Sequence, residues 1–149
     1  MPTLSQAEQA ASLISVDEFN AVIRSGLPWA SSLGITVDSL SAGAATMRLP
    51  YHQDSVRPGG TISGPHMMLL ADACMYAVVL SLLGRVELAV TTNLNINFLR
   101  KPRESDLLAE GSIIKLGKRL AVIEVSIHSE AEEKLVAHAT GTYSIPPHA

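Results

Sequence analysis

The sequence predicts an α+β domain in which an antiparallel sheet of about six strands curls around one long buried helix. Three observations predict it. Residues 67–83 are apolar around the whole helical circumference, as expected of a helix enclosed by other elements. After Gly84 the pattern changes to period 2, with Leu94, Ile96 and Phe98 alternating against Asn93, Asn95 and Asn97. The last connections are short, which favours antiparallel neighbours.

Residues 1–27 read as a helical extension ahead of a single domain over 28–149. In SVDEFNAVIRSG, Ser15 is the cap, Glu18 stands at the third position after it, and Gly26 is the stop. PWASSLG around Trp29 reads as a short helical turn. GITVDSLSAGAATMRLPY reads as two strands with a turn near residues 41–43. HQDSVRPGGTISGP is rich in Gly, Pro and Ser and reads as a loop. Ser63 and Gly64 suit the cap of the apolar helix, Pro65 its first turn and Gly84 its end. TTNLNINFL, LLAEGSIIKL, LAVIEVSIHS and KLVAHATGTYSI are four strands. RKPRESD, the Gly117-Lys118 turn and AEEK separate them, so a meander in chain order is expected. Edge strands then remain open to a second copy.

Composition narrows the function. A length of 149 residues suits one domain, and 47% hydrophobic residues support a packed core. Lys and Arg total 11 against 14 Asp and Glu, a net charge of -3, and aromatics are 4%. Neither a broad basic face nor a base-stacking platform is expected, so nucleic acid is a poor partner. Cys74 is the single cysteine, which excludes an internal disulfide and a multi-cysteine zinc site. The N-terminus lacks a basic start followed by a long apolar run, so the cytoplasm is the expected compartment. The apolar helix is short for a membrane span and carries Asp72, whose charge would be costly in lipid.

The segment RPGGTISGPHMMLLADACMYAVVLSLLG resembles the central part of hotdog-fold acyl-CoA thioesterases, with the phenylacetic-acid-pathway type the nearest likeness. TTNLNINFLRKP, the Gly117-Lys118 turn and LVAHATGTYSI are similar to the same family, whose 4-hydroxybenzoyl-CoA thioesterases share the pattern. The resemblance covers residues 28–145. It implies a hotdog fold, thioester hydrolysis without a metal or other cofactor, and sites at a dimer interface. Such enzymes open the helix with His-Gly-Gly, where this chain reads Ser63-Gly64-Pro65. Their helix acid corresponds to Asp72, their assisting hydroxyl to Thr91, and their upstream amide to Arg57.

Thioester hydrolysis needs a donor where oxyanion charge develops and a group that delivers oxygen. The Gly64 or His66 N–H at the helix start can be the donor, since Pro65 has none. Asp72 can act as general base toward water or attack directly. Gly64 and Asp72 are eight residues apart, about 12 Å along one helix, so both cannot reach one carbonyl from the same chain. The expected catalytic unit is therefore a homodimer, with a dimer of dimers as a further possibility. Ser63, His66 and Arg57 border the helix start as substrate-binding candidates. Met68, like Met67 and Met75, is core filler by default and could line an acyl tunnel. Arg100, Lys101 and Arg103, with Lys118 and Arg119, suit the phosphates of a coenzyme A arm.

Blander readings stand beside these. His66 is more simply a capping or partly buried histidine, His52 a solvated one, and Cys74 a buried thiol. His128, His138 and His148 show no metal-ligand spacing. Two other functions compete: a hydratase or dehydratase using His52 or His66 with Asp72, and a non-catalytic acyl-CoA binding module.

Overall fold

A computed structural model describes residues 10–52, 56, 57 and 61–147. Its first helix, α1 (Val16–Gly26), starts where Ser15 and Glu18 form a reciprocal capping box. Phe19, Val22 and Ile23 form its buried face and join the same hydrophobic cluster as the rest of the chain. Pro28 opens the one-turn helix α2 (Pro28–Ser32), which leads into β1 (Thr36–Ser41) and β2 (Ala44–Leu49). Gly43, at φ +83, makes the tight turn between them, and its N–H donates to the buried Ser81 hydroxyl at 3.0 Å.

The long helix, α3 (Gly64–Leu83), begins and ends as expected, with Pro65 in its first turn and Gly84 as its C-cap. By length and hydropathy it could cross a membrane, but twelve of its 20 residues are buried against the sheet and α1, as in a core helix. It is not enclosed on every side. Pro65 and Met68 are exposed and Asp72 is half-buried, and their spacing lays them along one open stripe.

The predicted loop ahead of α3 contains a small hairpin, β3 (Val56–Arg57) paired with β4 (Thr61–Ile62). It is too short for period-2 patterning to reveal. The other strands are β5 (Val90–Phe98), β6 (Leu107–Leu116), β7 (Leu120–Ser129) and β8 (Leu135–Ser144). They join β1 and β2 in one antiparallel sheet in the order β1-β2-β6-β7-β8-β5. Six strands around one long helix agree with the expected architecture. The four-strand meander does not hold. Of the last four strands only β6, β7 and β8 are consecutive neighbours; β5 pairs with β8 at the sheet edge. The reason is that β2 takes the edge of β6, from Ala44↔Ser112 to Leu49↔Leu107. The eight residues 99–106 easily span the three strand spacings, about 14 Å, from β5 to β6.

The inner face packs Met47, Leu107, Ile123, Val125 and Ala139 with α3 in one core. Two glycines let the helix lie close. A Cβ at Gly111 would stand 2.8 Å from Cys74 Sγ, and one at Gly141 would stand 2.5 Å from Met75 Sδ and 2.9 Å from the Asn93 carbonyl oxygen.

Candidate active site

Asp72 projects from α3 toward the edge where β5 meets β8. The Thr91 hydroxyl of β5 donates to Asp72 Oδ1 at 2.7 Å, as expected for a hydroxyl near the acid. The Tyr143 hydroxyl of β8 donates to the same oxygen at 2.6 Å and lies 3.0 Å from the Asp72 backbone carbonyl. Register explains the convergence, because Thr91 pairs with Tyr143 across the ladder. A shift between Thr91 and Asn93 turns Thr91 to the inner face. Tyr143 is only 3% exposed. Burial, with the Asp72 charge and hydrogen bond adding to it, pushes its phenol well above the ordinary range, so it remains a donor.

Sequence reasoning passed over Tyr143. The signal that could have found it was alternation, since Ala139, Gly141 and Tyr143 share the inward register of the last strand. Behind it stands a chain of rings. Tyr143 and Tyr76 have centroids 6.2 Å apart, Tyr76 and Phe19 5.9 Å, all tilted. Asp72, Thr91, Tyr143 and Tyr76 line an open pocket of about 400 Å³ whose apolar wall includes Leu27 and Trp29. The N-terminal segment thus builds part of this site, which sequence reasoning also missed.

Gly64 is the first residue of the helix, about two turns before Asp72, in a separate pocket of about 570 Å³. Ile62, Met67, Phe98 and Leu99 supply apolar walls, and Arg100 and Lys101 supply positive charge. A Cβ on Gly64 would stand 3.2 Å from Phe98 Cζ, so a side chain there would crowd this pocket. Ser63 occupies the N-cap position, but its side chain makes no cap hydrogen bond. Its hydroxyl is instead hydrogen-bonded to His66 Nδ1. The expected side-chain cap is therefore absent, and the first turn keeps its N–H groups free of a Ser63 cap.

His66 joins His52, Tyr51 and Ser31 around a third pocket of about 460 Å³. Within one chain, neither histidine shares a pocket with Asp72. Met68 is 39% exposed on the open stripe and is not core filler. Arg57 lies on β3, and its side chain is outside the described residues, as is His148. Lys118 and Arg119 are exposed at the β6–β7 turn. Leu120 and Val90 both pair with Ser144, so that turn lies at the Asp72 end of the sheet, away from Arg100 and Lys101. Arg103 pairs with Glu132 at 3.1 Å. Cys74 is fully buried and burial pushes its thiol up, which makes it unreactive. Among the described residues, no group of three or more His, Cys, Asp or Glu could hold a metal ion.

Residues 59–136 match the family model of the thioesterase superfamily. A protein of Saccharolobus solfataricus named "Putative esterase SSO1253" is 30% identical over 89% of this chain and 87% of its own. The crystal structure of a Silicibacter sp. TM1040 protein, named "putative thioesterase", superimposes with a TM-score of 0.83 at 43% identity, covering 94% of this chain and 97% of that one. A mutant of the phenylacetic acid degradation protein PaaI from Thermus thermophilus gives a TM-score of 0.71 at 27% identity, over 80% of this chain and 99% of that one. These matches agree with the hotdog architecture and support thioester hydrolysis as the general chemistry. By the extent of the family match and the identity of its relatives, this chain belongs to the thioesterase superfamily.

Proposed function

We propose that the protein hydrolyses an acyl-CoA thioester at a site shared by two copies, with Asp72 of one copy facing Gly64 of the other. The observation that carries this reading is the separation of the two half-sites along α3. The acid lines one pocket, and the glycine with two cations lines another. Neither pocket holds both components that the reaction needs.

The edge strand β5 offers a way to join them. It pairs with β8 on one side only, and Val90, Phe98 and Leu99 are exposed along it. Two β5 strands paired antiparallel around a two-fold axis at Asn95 would set the irregular Thr91–Thr92 step opposite the partner's Phe98. Thr91 is bonded to Asp72, and Phe98 lies against Gly64. The same operation brings the Lys118–Arg119 end of one sheet toward the partner's Arg100 and Lys101, a cationic rim for coenzyme A phosphates.

In this site the thioester carbonyl oxygen accepts from the Gly64 N–H while charge develops on it. A water attacks the carbonyl carbon and its proton passes to Asp72. Collapse expels the coenzyme A thiolate, which recovers the proton, leaving a free acid and a thiol. Direct attack by Asp72 would pass through an anhydride instead, and a single turnover in H2(18)O separates the two by labelling the enzyme carboxylate. The function is tested by offering acyl-CoAs of varied chain and following thiol release. Release that Asp72→Asn abolishes supports hydrolysis; saturable binding without turnover, or hydration of an enoyl-CoA without thiol release, contradicts it.

A further inference from the structure

We propose that Tyr143 is a positioning residue of this site: with Thr91 it holds Oδ1 of Asp72, which reserves Oδ2 as the oxygen that meets water or substrate. The inference rests on the reading of Asp72 as the acting carboxylate.

A carboxylate on a helix surface turns freely about its last torsion, where the preference is broad and two-fold. Here two hydroxyls donate to the same oxygen, at 2.7 and 2.6 Å, and the described residues place no hydrogen bond on Oδ2. The Tyr143 hydroxyl also contacts the backbone carbonyl of Asp72, so one group ties the side chain to its own helix turn. A buried phenol needs one acceptor, and the carbonyl at 3.0 Å would serve. The shorter bond nevertheless goes to the carboxylate. The phenol is itself fixed, since its ring packs on Tyr76 and that ring on Phe19 of α1. The proton lost by the attacking water then has one destination, Oδ2, whose orientation is set before substrate arrives.

The test is steady-state thiol release by Tyr143→Phe, Thr91→Val and the double variant, using an acyl-CoA that the wild type cleaves. Tyr143→Phe removes one oxygen and adds nothing, so thermal unfolding should report a folded protein. We expect kcat to fall about ten- to a hundredfold while KM stays within about twofold. Because both hydroxyls act on one oxygen, the two losses do not multiply in the double variant. If Asp72→Asn abolishes release while Tyr143→Phe keeps kcat within about twofold, the positioning role is overturned and the thioesterase reading stands. Losses that multiply as independent effects overturn it too. If Asp72→Asn leaves release intact, the underlying reading fails and this inference with it. Should Tyr143→Phe not fold, 4-fluorophenylalanine at position 143 fills the space of the hydroxyl without a donor. A lower kcat at unchanged KM then supports the role, and an unchanged kcat overturns it.

Discussion

The first turn of α3 and its middle, where Asp72 stands, are built from opposite chemistry. The Gly64 end offers backbone donors, apolar walls and two cations. The middle of the helix offers Asp72, clamped by two hydroxyls in a pocket that Trp29 and Leu27 also line. The first can stabilise and bind an anion but has no base in its pocket. The second has the base, and its hydroxyls are already committed to that base. In the proposed function each region supplies half of a hydrolase, which would make the open edge strand matter as much as the pocket residues.

The largest expected effect comes from removing the acid. Asp72→Asn keeps the shape of the side chain and should lower kcat about a thousandfold or more, measured by thiol release. Loss of acyl-CoA binding without loss of kcat would instead assign Asp72 to recognition. Next comes the first turn of α3. Gly64→Val places bulk where a Cβ already approaches Phe98 at 3.2 Å, and should cost about a hundredfold in kcat/KM with the thermal midpoint little changed. A smaller effect is expected for Arg100→Ala with Lys101→Ala. KM for a coenzyme A thioester should rise about five- to tenfold, and KM for an N-acetylcysteamine thioester, which lacks the phosphates, should hold. Arg103→Ala marks the floor: its exposed pairing with Glu132 should be worth less than about twofold in either constant.

A pH measurement probes the buried groups around the middle of α3. Burial raises the pKa of Cys74, Tyr76 and Tyr143, of which Tyr76 and Tyr143 line the Asp72 pocket. A group that holds its proton more tightly when folded contributes stability below its ordinary pKa, and loses it as pH climbs past that value. Urea unfolding midpoints should therefore decline from about pH 9 upward, where free thiols and then phenols ionise. Tyr143→Phe should make the decline less steep.

Much of this architecture was legible because it rests on local chemistry. Ser15 with Glu18, Pro65 with Gly84, and Gly43 in its turn each announce an element boundary through a specific hydrogen bond or a permitted φ. Strand-like runs bounded by turn residues, with period-2 alternation clearest in β5, located all six sheet strands. What escaped depends on distant partners. The place of β5 is decided by β2, which fills the β6 edge from far earlier in the chain. Ser63 was a sound cap by type, but His66 one turn on competes for its hydroxyl. Tyr143 meets Asp72 across 71 residues, and no local pattern signals such a bond. Thr91 was found through family likeness and not through its spacing from Asp72. The separation of Gly64 from Asp72 along α3 was readable from helical rise alone, because eight residues part them.

The sharing of one site between two chains is most directly tested by mixing two inactive variants, Asp72→Asn and Gly64→Val, after unfolding and refolding them together. Random pairing makes half the dimers mixed, and each mixed dimer holds one site with both an intact acid and an intact glycine. Thiol release should recover to about a quarter of the wild-type rate. A mixture no more active than its separate components would contradict the shared site and place both groups' action within a single chain.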